Sequence, residues 1–239
     1  MVFESVDSTL SEAARRAPGV AVPLWILAQE QTAARGRRGR SWTTPKGNFA
    51  STLIMRRLEA PGTAALRSFV ASLALRRAFL RTTGIEDAFA LKWPNDVLLN
   101  GGKLAGILLE SIGRGGGVGY LAVGIGVNLA EAPGADAVEP GAVRPVSLVS
   151  ETGALVDADT FLTHLAAAFA RYEAQFTTYG FEPIRKLWLS RAARLGERIV
   201  ARTTASETAG IFQSVDGRGN LVLETETGRV NISAAEVFF

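Results

Sequence analysis

The sequence contains no cysteine. Disulfides, thiolate metal sites and cysteine nucleophiles are therefore excluded. Histidine occurs once, at His164. That argues against a histidine-rich metal centre and against a Ser-His-Asp triad, and His164 reads as an ordinary side chain of a helical stretch. No metal site is assigned. Long apolar runs are missing as well. Val20 to Ala28 is apolar but far too short to span a bilayer, and the N-terminal residues lack the charged-then-apolar pattern of an export signal. The expectation is a cytoplasmic protein without a membrane partner. Acidic residues are absent from 35 to 46, where five basic ones gather (Arg35, Arg37, Arg38, Arg40, Lys46), although the net charge of the whole chain is only +3. Basicity is thus a local property of one segment rather than of the molecule.

What is present suffices for a substantial core: 239 residues, 47% of them hydrophobic. That length predicts one main domain and a small one. Val2 to Val6 reads as a short strand and Ser8 to Ala17 as a short helix, with Thr9 and Glu12 forming a T-x-x-E capping box. Ala21 to Gln31 and Phe49 to Arg56 read as strands flanking a long Arg/Gly/Thr-rich loop, 32–48. Pro61 to Arg81 is helical by the spacing of Leu66, Phe69, Val70 and Leu73. Phe89 to Trp93 is a strand ended by Pro94. Val97 to Leu99 and Leu104 to Glu110 form a hairpin through Asn100-Gly101. A second turn falls at Gly115 to Gly117, followed by a strand from Gly119 to Val127, an exposed loop from Ala132 to Pro145, and helices from Asp159 to Tyr179 and Phe181 to Ala193. After about Arg194 the texture becomes short β-type runs (Arg198 to Arg202, Gly210 to Ser214, Leu221 to Glu224, Arg229 to Ile232) separated by turn pairs, which predicts a small all-β module. The expected fold is α+β with a mixed, largely antiparallel sheet and packed helices. The domains are taken as 1–193 and 194–239.

Three segments carry chemistry. From Gln31 to Trp42, arginine alternates with glycine. Glycines let backbone amides approach an anion and arginines grip phosphate oxygens through two parallel N–H bonds. A solvated basic loop, or an RNA-binding one, has the same composition. In Leu91-Lys92-Trp93-Pro94-Asn95-Asp96, a strand stops at Pro94 and presents Asn95 and Asp96 at its mouth. Asn95 can donate and accept hydrogen bonds, and Asp96 can accept a proton or bind Mg²⁺; an ordinary turn has the same chemistry. The third segment joins Lys103 to Glu110 with Val123 to Asn128. If Lys103 points inward it must meet an anion, whereas an exposed lysine opening an edge strand is the more common case; glycines 106, 124 and 126 suit a flat ligand lying on the backbone. Strand parity puts Lys103 and Gly106 on opposite faces unless a bulge intervenes.

These residues together resemble the biotin–protein ligases. Ala34 to Arg40 is similar to the GRGRRGR loop of that family, Lys92 to Asp96 to its KWPND motif, Lys103 to Ile107 to KLAGI, Gly124 to Asn128 to GIGxN, and Asp7-Ser8-Thr9 to its S-T motif. The motifs occur in family order across nearly the whole chain. Ala34 stands in place of a family glycine and Leu10 in place of asparagine. The resemblance implies a catalytic α+β domain with a C-terminal SH3-like barrel, and activation of biotin by ATP, with Mg²⁺, before transfer to a lysine of a biotin carboxyl carrier protein. It implies that biotin is bound by Ser8, Thr9, Leu10, Gln31, Arg35, Gly36, Arg37, Lys103, Gly106, Gly124 and Gly126. The nucleotide falls to Arg37, Arg40, Trp42, Asn95, Lys103 and Asn128, and the catalytic roles to Lys103, Arg37 and Asp96. Some family members carry an N-terminal DNA-binding domain; Ser8 begins the first motif here, so no sequence-specific DNA partner is expected. A homodimer is left open. A lipoate–protein ligase, which shares fold and strategy, is the alternative enzyme; an RNA-binding module is the alternative of another class.

Overall fold

Neighbouring residues of a strand point to opposite faces, and the core of this protein divides along that line. Ile26, Ile54 and Ala122 pack with Leu10 and Ala13 in one cluster, whereas Leu27, Leu53, Met55 and Val123 belong to the larger one. The sheet between them therefore carries helices on both faces. The structure is a computed structural model, and it describes residues 1–40, 42, 44–113, 118–134, 141–204 and 206–239.

The chain opens with β1 (Val2–Val6), α1 (Thr9–Arg16), β2 (Leu24–Gln31) and β3 (Phe49–Glu59). Two helices follow, α2 (Pro61–Ala65) and α3 (Arg67–Thr83), then β4 (Phe89–Lys92), β5 (Asp96–Leu99), β6 (Gly102–Ile112) and β7 (Val118–Val127). Helices α4 (Leu148–Thr152), α5 (Ala158–Tyr179) and α6 (Phe181–Leu189) lead into β8 (Arg198–Arg202), β9 (Glu207–Val215), β10 (Leu221–Thr225), β11 (Gly228–Ile232) and β12 (Glu236–Phe238). The first sheet has the order β1-β2-β3-β7-β6-β5-β4, and only the β1–β2 pair is parallel. The second is a five-stranded antiparallel sheet, β11-β10-β9-β8-β12. The α+β expectation and the small β-rich module are both met.

Several boundaries differ from the sequence reading. The N-cap of α1 is Ser8, whose hydroxyl accepts from the Leu10 N–H; Glu12 turns instead to Arg15 and Arg16, so the Thr9–Glu12 capping box does not form. The helix expected over 61–81 breaks at Leu66 into α2 and α3. Helix α6 stops at Leu189 because 191–193 runs alongside β4: the Leu91 N–H donates to Arg191 O and the Ala193 N–H to Leu91 O. That contact covers an edge which would otherwise expose unpaired backbone groups. The Asn100-Gly101 hairpin is present, with φ of 49° and 79° at its two turn residues, the positive values that asparagine and glycine tolerate. The turn expected at Gly115 to Gly117 lies outside the described residues. So does the middle of the loop expected at Ala132 to Pro145; its end is not exposed, since Pro145 and Val146 are buried and pair with Lys103.

The two sheets meet where the chain turns back from β4. The Trp93 indole N–H donates to Gly219 O at 3.0 Å, and Arg185 on α6 donates to Val215 O at 2.8 Å.

Candidate active site

A cavity of about 500 Å³ opens on the α1 face of the first sheet. That is within the range of small-ligand sites. Every residue assigned to biotin, nucleotide or catalysis from the sequence lines it: Ser8, Thr9, Leu10, Gln31, Arg35, Gly36, Arg37, Arg40, Trp42, Asn95, Asp96, Lys103, Gly106, Gly124, Gly126 and Asn128. Residues dispersed from 8 to 128 thus converge on one volume.

The parity conflict between Lys103 and Gly106 is resolved by a bulge. Val97 pairs with Ala105 but Leu98 pairs with Lys103, so Leu104 is an extra residue. Leu104 and Ala105 both turn into the core, fully buried. Lys103 and Gly106 are thereby brought to the same face, as bulges do when they re-aim a side chain. The Lys103 backbone is fixed on its other side by Arg144 O and the Val146 N–H.

At this end of the cavity two lysines surround one carboxylate. Lys103 Nζ is 2.9 Å from Asp96 Oδ1 and Lys92 Nζ is 3.7 Å from Asp96 Oδ2. Burial alone raises the Asp96 pKa, but the charges of Lys103 and Lys92 and the Lys103 hydrogen bond overcome it, and the net shift is downward. Burial pushes the Lys92 ammonium down, against the pull of Asp96. Arg37 lies close by: it donates to Asn95 Oδ1 at 3.1 Å and Ala235 O at 3.4 Å, and burial lowers its pKa as well. Asn95 is locked by donating its amide N–H to Ile107 O at 2.7 Å. Two lysines therefore hold one buried carboxylate with the Arg37 guanidinium close by, an arrangement suited to a polyanionic ligand.

Asn128 is held differently from its neighbours. Its side-chain amide donates to Val146 O at 3.1 Å, so part of its hydrogen-bonding capacity is structural.

Glycines 106 and 126 face each other across β6 and β7. The flat group lying on them is the indole of Trp42: a Cβ on Gly126 would come to 2.5 Å from Trp42 Cε2 and Nε1, and one on Gly106 to 3.3 Å from Cζ3. Gly124 admits the Leu10 side chain, whose Cγ would be 2.8 Å from a Cβ there. The reason for small residues was legible; the group they admit in this structure was not.

The arginine loop also finds partners that sequence reasoning missed. Arg40 makes a bidentate pair with Glu236, at 2.7 and 2.6 Å, and Arg35 reaches both oxygens of Glu110 at 3.1 and 3.2 Å. The Arg40 hydrogen bond holds the Glu236 carboxyl below its usual range. Lys92, Glu236, Val237 and Phe238 are lining residues without a prior assignment. Lys92 carried a signal, a lysine inside an apolar strand, but Glu236 carried none.

The far end of the cavity is polar and mostly uncharged: Ser8, Thr9 and Gln31. Its turn is fixed by Asp7, which accepts from the Ser8 N–H at 2.7 Å and from both terminal nitrogens of Arg15 at 3.0 and 2.8 Å. Hydrogen bonds from Arg15, then Ser8, lower the Asp7 pKa from 3.8 to about 2. A depressed folded-state pKa stabilises the fold above the unfolded value, and that contribution fades as pH falls from 3.8 toward 2. Carboxyl NMR titration is expected to show Asp7 ionised at pH 3; an ordinary midpoint near 4 would mean the Arg15 pair does not persist in solution.

The comparison with known proteins follows the same geometry. A family model described as the biotin/lipoate A/B protein ligase family matches residues 2–128, and a model of the biotin protein ligase C terminal domain matches 195–239. The chain belongs to the biotin/lipoate A/B protein ligase family. Among curated members, a biotin–(acetyl-CoA-carboxylase) ligase of Paracoccus denitrificans is 59% identical over 233 residues, covering 98% of this chain and 97% of that one. The bifunctional ligase/repressor BirA of Bacillus subtilis is 32% identical over 216 residues, covering 89% of this chain but 65% of its own length. Among solved ligase structures, the biotin protein ligase of Aquifex aeolicus in complex with biotin and ATP superimposes with a TM-score of 0.84 over 99% of this chain and 96% of that one. At 24% identity it bears on the fold alone. Within this family's fold, the second sheet corresponds to the C-terminal domain, and β12 brings Glu236 to Phe238 into the cavity wall.

Proposed function

We propose that the protein is a biotin–protein ligase. It joins the carboxylate of biotin to AMP, using ATP, and then transfers biotin to a lysine of a biotin carboxyl carrier protein. The observation that carries this reading is one cavity with two unlike ends: a neutral hydrogen-bonding end at Ser8, Thr9 and Gln31, and a cationic end at Lys92, Lys103 and Arg37. A molecule with a small polar head and a carboxylate tail fits the first end with its head and meets ATP at the second with its tail. The 59% identical relative bears the corresponding name.

In the first step a biotin carboxylate oxygen attacks the α-phosphorus, a P–O bond forms, and the bond to pyrophosphate breaks. Negative charge grows on the phosphoryl oxygens and on the leaving group. Lys103, Arg37 and Arg40 offset it, and no protein nucleophile takes part. In the second step the carrier amine attacks the acyl carbon, the C–O bond to the phosphate breaks as AMP leaves, and the proton lost by the amine passes to solvent water. Asp96, ionised and already paired with Lys103, is a weak proton acceptor near neutral pH. Its role in this reading is to hold Lys103 and Lys92 in place. Among the described residues no three His, Cys, Asp or Glu side chains gather as a metal cage. Mg²⁺ supplied with ATP would offset the charge of the phosphates, and Asp96 is a cavity-lining carboxylate at that end that would hold it.

The first 193 residues are read as the catalytic unit and 194–239 as the smaller β unit. No described helix is long and apolar enough to cross a membrane, and we place the enzyme in the cytoplasm with its carrier. Incubation with equal amounts of biotin and lipoate, together with ATP and Mg²⁺, is expected to yield biotinyl-AMP by mass spectrometry. Formation of a lipoyl adenylate instead, or of neither, would overturn the assignment.

A further inference from the structure

A threonine with no assigned role sits beneath the neutral end of the cavity. Thr52, on β3, is completely buried. It lies between Ile26 on one neighbouring strand and Gly124 on the other, where an apolar β-branched residue would serve equally well for packing. A buried hydroxyl is costly unless it is hydrogen-bonded. Thr52 Oγ1 is 2.9 Å from Thr9 Oγ1.

The direction of every bond in this chain follows from one backbone group. The Thr9 N–H can only donate, and it points at the Gln31 side chain at 2.8 Å. The atom facing it must be the Gln31 oxygen, which settles the amide orientation. That oxygen also lies 3.1 Å from Thr9 Oγ1, so the Thr9 hydroxyl proton is committed there. Thr9 Oγ1 must then accept from Thr52. On the other side, one Gln31 amide N–H donates to Thr44 Oγ1 at 3.2 Å. The second N–H is left for the cavity. Ser8 Oγ accepts from the Leu10 N–H, which leaves the Ser8 hydroxyl proton for the cavity too. Among the described residues, this end of the cavity thus offers two donors to a ligand.

The geometry points to Thr52 as a positioning residue for biotin. It acts through Thr9 and Gln31, keeping the wall donor-rich so that it recognises a urea carbonyl. The inference rests on the ligase reading above, and it adds a specificity determinant in the second layer that touches no substrate. Removing the Thr52 hydroxyl frees the Thr9 side chain to rotate. Gln31 is then held by Thr9 N and Thr44 alone.

The test compares Thr52→Val, which keeps the shape, with Thr52→Ser, which keeps the hydroxyl, in the full-length enzyme. Pyrophosphate release is followed with biotin varied at saturating ATP, then with ATP varied at saturating biotin, and biotinyl-AMP formation by the wild type is checked first. Thr52→Val is expected to raise KM for biotin roughly fivefold to tenfold, the value of one hydrogen bond. KM for ATP should not change, and Thr52→Ser should restore KM for biotin. An unchanged KM for biotin in Thr52→Val overturns the inference. So does a rise in both KM values together, or a serine variant as impaired as the valine one, because each marks a packing role. Failure of the wild type to make biotinyl-AMP would overturn the ligase reading itself.

Discussion

Lys103→Ala is expected to slow biotinyl-AMP formation by on the order of 10²-fold or more, the usual cost of removing one preorganised donor from developing charge. Lys103 is held for that task from three directions. A bulge turns its side chain into the cavity, its backbone is tied to 144–146, and Asp96 stands 2.9 Å from its ammonium. Charge on the phosphoryl oxygens therefore meets a cation that need not reorganise. The variant leaves Asp96 with Lys92 alone, at 3.7 Å, so some loss of thermal stability should accompany the loss of rate. Rates are best compared well below the melting temperature, by pyrophosphate release at saturating biotin and ATP. Near wild-type turnover would remove Lys103 from the adenylation step.

Arg37→Gly is expected to fail in a different way. Arg37 is anchored to Asn95 and Ala235 by neutral acceptors, and its charge remains available within the cavity wall. A phosphate offered to such a guanidinium gains a charge-assisted bond. Losing that contact should shorten the residence of biotinyl-AMP by roughly tenfold to a hundredfold, with a smaller effect on its synthesis. Released adenylate acylates exposed lysines indiscriminately. Mutant enzyme, ATP, Mg²⁺ and biotin are mixed with an unrelated protein, and streptavidin detects the label. If adenylate forms but bystander labelling stays at the wild-type level, Arg37 does not retain it.

The location of the site was legible in residue types uncommon where they stand, although each segment alone also had an ordinary reading and the roles came from the family resemblance. A lysine opening an apolar strand, glycines inside strands and an arginine-rich loop each conflict with local packing or propensity. Such conflicts mark functional positions. The α+β architecture followed from periodicity and turn pairs. What stayed hidden was contact between distant residues. Glu236 falls in a strand of three residues, too short to show alternation, and its pairing with Arg40 spans 196 positions. Thr52 looks like any strand threonine until its neighbour is known. The bulge at Leu104 could be posed as a question by strand parity but answered only by the register.

The Arg40–Glu236 pair bears on how the molecule is made. Contacts across so long a stretch of chain form late in folding, because closing a large loop is entropically slow to be repaid. Synthesis from the N-terminal end completes the first sheet well before β12 emerges. A nascent chain should therefore possess the floor of the cavity before it has the rim that Glu236, Val237 and Phe238 supply. Competence to handle a reactive acyl adenylate would then be withheld until β12 has been made and has docked. Pulse-labelling hydrogen exchange during refolding should show β12 gaining protection after β3, β6 and β7.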